Sequence, residues 1–318
     1  MPLEWYTALR QTLNVVSLVY PLCIAACQTT ASSTTPKASA APLTSLASTF
    51  TGGQQTQTPP RASSPDTSEP LAQSGVAKSP GVDGSQSVPP ELACLARYYT
   101  GRPVFAEGEW WLELGPGKRL QFDDHKTKSS EERIAHPDLQ DMFYGAYSTA
   151  EIAPIVDPDE DPGRYRVDEL FLATYGDSPD AVRAKLRTVT LSEQHLPVHE
   201  RAESAFKALA EPLTKLVAAQ PEIAPILQNL GGTFNWRNIA GTEQKSAHSF
   251  GVSLDVNTQF SDYWRWQQPK PVWRNRIPKE LVALFEAHGF IWGGRWFHYD
   301  TMHFEYRPEL LDPTCRSK

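Results

Sequence analysis

The chain has 318 residues and a formal net charge of −7, and no run of it is dense in Lys or Arg. That balance argues against a partner gripped through a phosphate backbone and points to a polar or neutral substrate. With 40% hydrophobic residues the chain can bury a core, as one large domain or two modest ones.

The first 27 residues read as an export signal. Arg10 precedes an apolar run from Leu13 to Ala26, interrupted only by Asn14, Ser17 and Pro21; it is too short to span a bilayer, which takes about 20 apolar residues. Its end, Ile24-Ala25-Ala26-Cys27, resembles the bacterial lipobox, which implies that Cys27 carries a lipid and becomes the new N-terminus. By the same resemblance, Gln28 favours the outer membrane where a cell has one. An ordinary cleaved signal and an uncleaved anchor are the other readings. Cys23 lies inside the apolar run, leaving Cys94 and Cys315, which an exported chain is expected to pair as a disulfide.

Residues 28–90 are rich in Ser, Thr, Ala, Pro, Gly and Gln and cannot bury enough apolar surface to offset ordering, so a disordered tether is expected. Such a linker of ~60 residues has a root-mean-square span of roughly 40 to 50 Å. Residues 91–200 read as an N-terminal extension of the folded region, and 201–318 as the domain carrying the chemistry.

Within the extension, Trp110, Leu112 and Leu114 alternate, the chain turns at Gly115-Pro116-Gly117, and Leu120 and Phe122 resume: a hairpin. The acidic run from Pro158 to Arg164 lacks the spacing of a Ca²⁺ loop and is expected to be solvated. Ser178 is placed to cap a short helix that starts at Pro179, with Val182 and Leu186 on one face. Phe206, Leu209, Leu213 and Leu216 mark a longer helix that Pro212 should kink or divide. Pro221 opens a further set of turns that stops at Gly231-Gly232.

From Thr233 onward strands are expected. Thr233–Ile239 alternates with Phe234 and Trp236 on one face, and Val252–Asn257 places Asp255 on its polar face. Gly251 should bend the chain so that His248 meets Asp255. Pro278–His288 reads as a helix stopped by Gly289, and a last strand puts His303 and Glu305 on one face with Asp300 at its entrance. Two imidazoles and one carboxylate, His248, His303 and Asp255, suit a zinc ion with an open fourth position, leaving Asp300 as a candidate base.

Ser246-Ala247-His248, Gly251 and Asp255, followed by Asp300-Thr301-Met302-His303, resemble the signature of the D-Ala-D-Ala carboxypeptidase metallopeptidases. That family includes VanY-type carboxypeptidases, vancomycin-resistance dipeptidases and phage endolysins. The resemblance covers roughly residues 206–311 and implies an α+β fold with a small antiparallel sheet flanked by helices. It implies Zn²⁺ on His248, Asp255 and His303, with Asp300 as general base where other branches carry glutamate, as in the endolysin-like branch. Arg237 resembles the arginine that polarises the scissile carbonyl, and Ser246 a substrate-contacting serine.

Alternatives stand beside these roles. Asp300 can instead accept a hydrogen bond from a ligand imidazole, a role for which Glu305 is also a candidate. His298 can stabilise a transition state or lie idle in a loop, and Arg237 can simply pair with an acid. The aromatics between Tyr263 and Trp296 can be core or line a groove. The expected activity is hydrolysis of a peptidoglycan stem peptide at a bond involving a D-amino acid, by a monomeric enzyme held at the cell envelope. The rival readings are an endopeptidase and a wall-binding lipoprotein with a structural zinc.

Overall fold

The computed structural model describes residues 87–266 and 272–316; the signal segment, Cys27 and the tether as far as residue 86 lie outside them. Helix α1 (Pro90–Tyr98) starts on a proline, whose missing N–H costs nothing at that position, and buries Leu92 and Leu95 one turn apart. The expected hairpin is strands β2 (Glu109–Gly115) and β3 (Lys118–Gln121). An earlier strand, β1 (Arg102–Ala106), pairs antiparallel with β2 on the outer edge, where Pro103 is tolerated. Helix α2 (Ser130–Ala135) opens on a reciprocal cap: Ser129 Oγ accepts from the Glu132 N–H, and the Glu132 carboxylate accepts from the Ser129 N–H.

Helix α3 (Asp168–Tyr175) is followed by α4 (Pro179–Arg183), capped by Ser178 as expected, its side chain accepting from the Ala181 N–H. Leu186 does not continue that helix. It begins β4 (Leu186–Leu191), which turns through Ser192 and Glu193, both at positive φ, into the antiparallel β5 (Gln194–His199). This is the geometry of a two-residue hairpin turn, made here without glycine or asparagine.

Helix α5 (Glu203–Ala219) is not divided at Pro212, which lies inside it. Leu209 and Leu213 are buried on either side of the proline, while Ala208, whose carbonyl loses its partner there, is exposed. Burial of the apolar face outweighs one lost backbone bond.

No strand forms over Thr233–Ile239. This stretch bonds instead to the segment that follows it: the Asn235 N–H donates to the His248 carbonyl, the Arg237 N–H to Ser249 Oγ, and the Ser246 N–H to the Arg237 carbonyl. The backbone groups are satisfied without a ladder.

The remaining elements are β6 (Ser253–Asp255), α6 (Lys279–Glu286), β7 (Phe290–Trp292), β8 (His303–Tyr306) and α7 (Pro308–Leu311). They form a three-stranded antiparallel sheet in the order β6-β8-β7, with α6 on its apolar side, where Phe285 stacks on Phe304 at 4.1 Å. Leu254, Phe304 and Trp292 lie side by side across the three strands. The main core joins Leu92, Leu112 and Phe171 from the first half to Phe206, Phe250 and Phe304 from the second. The architecture is α+β.

Cys94 and Cys315 form a disulfide across 221 residues, tying α1 to the C-terminal turn.

Candidate active site

The register of the small sheet sets Asp255 directly opposite His303, so both side chains leave the same face. The chain enters β6 from a single helical turn, Ala247–Phe250, closed by Gly251 at φ +66°. A side chain at Gly251 would be strained in that conformation and would meet Leu186 at 2.9 Å. The turn delivers His248 to the same spot, its Nε2 3.1 Å from Asp255 Oδ1, while His303 Nδ1 lies 2.9 Å from the same oxygen. One donor atom from each of the three residues lies within 4.8 Å of the others.

Burial alone would raise the Asp255 pKa, but the two imidazoles outweigh it and hold the carboxyl well below its usual range. Burial would lower that of His303; hydrogen bonds to Asp255 and Glu305 push it up to about 10 instead.

Asp300 stands where the chain turns into β8, and its backbone carbonyl accepts from the His303 N–H. Burial, then the charge of Asp255, raises the pKa of its carboxyl. Two buried atoms here make no hydrogen bond: Asp300 Oδ1, and His248 Nε2 despite its ion-pair distance to Asp255. Orphaned polar atoms beside a two-imidazole, one-carboxylate cluster fit a cation that the three residues would hold, and the donor set suits Zn²⁺. A second triad, Asp123, Asp124 and Asp138, is spoken for, since the Lys128 ammonium bonds within 3.2 Å of both Asp124 and Asp138.

Glu305 lies two residues along β8 on the face of His303, with Oε2 3.4 Å from His303 Nε2. It is wholly buried between Arg166, at 3.4 Å, and Arg307, at 3.3 Å. Burial would raise its pKa, and the guanidinium of Arg166 leads the groups that hold it well below the usual carboxylate range. Glu305 thus accepts from the Nε2–H of His303 and leaves Nδ1 to face Asp255.

These groups open into a cleft of about 310 Å³. Arg237, exposed, and Ser246, buried, both line it, as do Tyr263 and Trp266. The aromatics read as either core or groove therefore divide: Trp292 is fully buried, whereas Tyr263, Trp266 and Trp296 reach the cleft. His298 does not reach it. It lines an adjoining cavity of about 470 Å³, with Nδ1 2.5 Å from Asp161 Oδ2.

Asp161 is buried, not solvated, so the acidic run does more than expected. Asp161 Oδ1 accepts from the His298 N–H, and the Glu160 carbonyl accepts from the Phe297 N–H. Gly163 packs so close to the Trp296 ring that a Cβ would sit 2.1 Å from it. This clamp carries Arg164 and Arg166 into the cleft wall, two residues that reasoning from sequence missed. Their signal was the Arg-Tyr-Arg alternation, which in extended chain puts both guanidinia on one side.

No helix among the described residues is long and apolar enough to cross a membrane. No curated protein and no solved structure matches the chain. A family described as D-alanyl-D-alanine carboxypeptidase does match it, over residues 240–306. That span holds His248, Asp255, Asp300 and His303, and the match supports a peptidase of this type at this cleft.

Proposed function

We propose that the protein is a zinc-dependent peptidase that hydrolyses peptidoglycan stem peptides at a bond involving a D-amino acid. The observation that carries this is the convergence of two imidazoles and one carboxylate with an unpartnered Asp300 oxygen in one cleft, inside the span matched by a peptidase family. His248, Asp255 and His303 hold the ion, and Glu305 fixes the ring of His303. When bound, zinc supplies the Lewis acidity that polarises a carbonyl and makes water a nucleophile near neutral pH. Asp300 takes the proton of the attacking water and passes it to the leaving amine. Arg237, on the rim, donates to the carbonyl oxygen as its negative charge grows, and Ser246 contacts the peptide. The enzyme works as a monomer at the cell envelope, anchored through lipid on Cys27.

The cavity beside the cleft favours a second reading, an endopeptidase whose substrate continues past the scissile bond.

Residues 87–318, loaded with Zn²⁺, are incubated with peptidoglycan and soluble stem peptides, and the products are weighed by mass spectrometry. Native protein is expected to release defined fragments whose masses name the bond. His303→Ala is expected to lose both metal and activity. Asp300→Asn is expected to keep the metal and lose about a thousandfold or more in kcat. Native protein that binds one zinc and cuts nothing would make it a wall-binding module.

A further inference from the structure

Three arginines line the cleft, and their charges are treated differently. Arg166 is buried and neutralised, with Glu305 at 3.4 Å and Asp168 at 3.8 Å. Arg237 is exposed, and water screens it. Arg164 is half-buried, and among the described residues no carboxylate lies within ion-pair distance of it. Its Nη2 donates to the carbonyl of His298 at 2.7 Å, its guanidinium carbon lies 4.8 Å from the centre of the Trp296 ring, and its Nε is buried without a partner. A guanidinium carries five N–H donors in a fixed plane. Only one of them is committed here, and the half-buried charge has no contact ion pair: the Asp300 carboxyl feels it, yet lies beyond ion-pair distance.

The side chain is nevertheless held in place. The Arg164 N–H donates to the Asp161 carbonyl at 2.8 Å, and Asp161 in turn grips His298 through two bonds. His298 lies two residues before Asp300, so the guanidinium is fixed to the segment that carries the candidate base. Arg164 lines both the cleft and the adjoining cavity, and so stands in the wall between them. A pre-positioned guanidinium with uncommitted Nη N–H donors at that wall matches a planar anion delivered by the substrate.

We propose that Arg164 binds a carboxylate of the peptide substrate at the wall between the cleft and its neighbouring cavity. This rests on the peptidase reading and deepens it by naming a feature the substrate must carry. A peptide offers such a group in two places. One is its C-terminus, which would make the enzyme trim a free end; the other is an acidic residue inside the chain, which would suit a substrate that runs on into the second cavity.

The test uses four peptides that end in D-alanine and contain one glutamyl residue: both carboxylates free, either one amidated, or both amidated. Native protein, Arg164→Gln and Arg164→Lys are compared. Amidation of one of the two carboxylates is expected to lower native kcat/KM by about tenfold or more, and which one names the source. Arg164→Gln is expected to lose about the same factor on the free form, chiefly through KM, and to stop distinguishing that pair; Arg164→Lys recovers part of it. An Arg164→Gln protein that discriminates as sharply as the native one, or that loses the same factor on all four peptides, overturns the proposal.

Binding of the same peptides to Asp300→Asn and to Asp300→Asn/Arg164→Gln, by calorimetry, separates the two claims. Carboxylate binding that depends on Arg164, where the zinc-loaded native protein cuts none of the four, keeps the proposal and removes the peptidase reading. Neither cleavage nor binding removes both.

Discussion

Glu305 sits in a buried row of alternating charge, Arg166, Glu305, Arg307 and Glu309, that ends on the Tyr99 hydroxyl, which donates to Glu309 at 2.8 Å. Each carboxylate has a guanidinium beside it, and Arg307 is fully buried. Replacing Glu305 with Gln strips the charge that faces both Arg166 and Arg307 and weakens the acceptor that orients His303. Breaking a buried pair costs about 3 to 5 kcal/mol, and disturbing a group that orients a metal ligand lowers metal affinity by about 10- to 100-fold. Glu305→Gln is therefore expected to unfold at lower urea and to bind zinc more weakly, read by denaturation and by competition with a chelator. Unchanged zinc affinity would leave Glu305 a purely structural residue. At this scale the sequence was most legible where the chemistry is local: His248 and Asp255 are seven residues apart, and Asp300 and His303 three. Arg164 and Arg166 escaped because only the clamp onto residues 297–298 brings them to the cleft, and nothing in an acidic loop announces where it will dock.

Among the elements, patterns that repeat within one segment were readable, and those set by distant partners were not. Helix α6 and the β2–β3 hairpin carry their apolar spacing and their turn within a few residues. The β4–β5 hairpin turns on Ser192-Glu193, which lacks the usual glycine or asparagine signal, and β7 is three apolar residues with no alternation to read. Thr233–Ile239 alternates as a strand should, yet its partner is an irregular segment that offers single bonds in place of a ladder. Pro212 shows how packing overrules a local rule. Since α5 already continues through this position, Pro212→Ala restores a donor toward the Ala208 carbonyl within an existing helix. Part of the gain is offset because proline also restrains the unfolded chain, by about 0.4 to 1 kcal/mol. The variant is expected to be more stable by about 2 kcal/mol in urea denaturation; a loss of stability would mean that the proline ring is packed too well to replace.

For the molecule as a whole, the two stretches that read as extension and catalytic domain share one core, from Leu92 to Phe304. The disulfide reinforces this by joining α1 to the last turn. Replacing both Cys94 and Cys315 with alanine is expected to cost about 2 to 4 kcal/mol while zinc content is retained, since neither residue lines the cleft. Thermal unfolding with and without reductant checks it: reductant should lower the midpoint of the native protein and leave the double variant where it is. The clamp that joins residues 160–164 to residues 297–298 has a consequence for biogenesis. It joins stretches more than a hundred residues apart, and because His303 follows residues 297–298, a chain still emerging from the ribosome has every partner of the clamp before it has the last of the three clustered side chains. Wall and cluster are thereby completed together during synthesis.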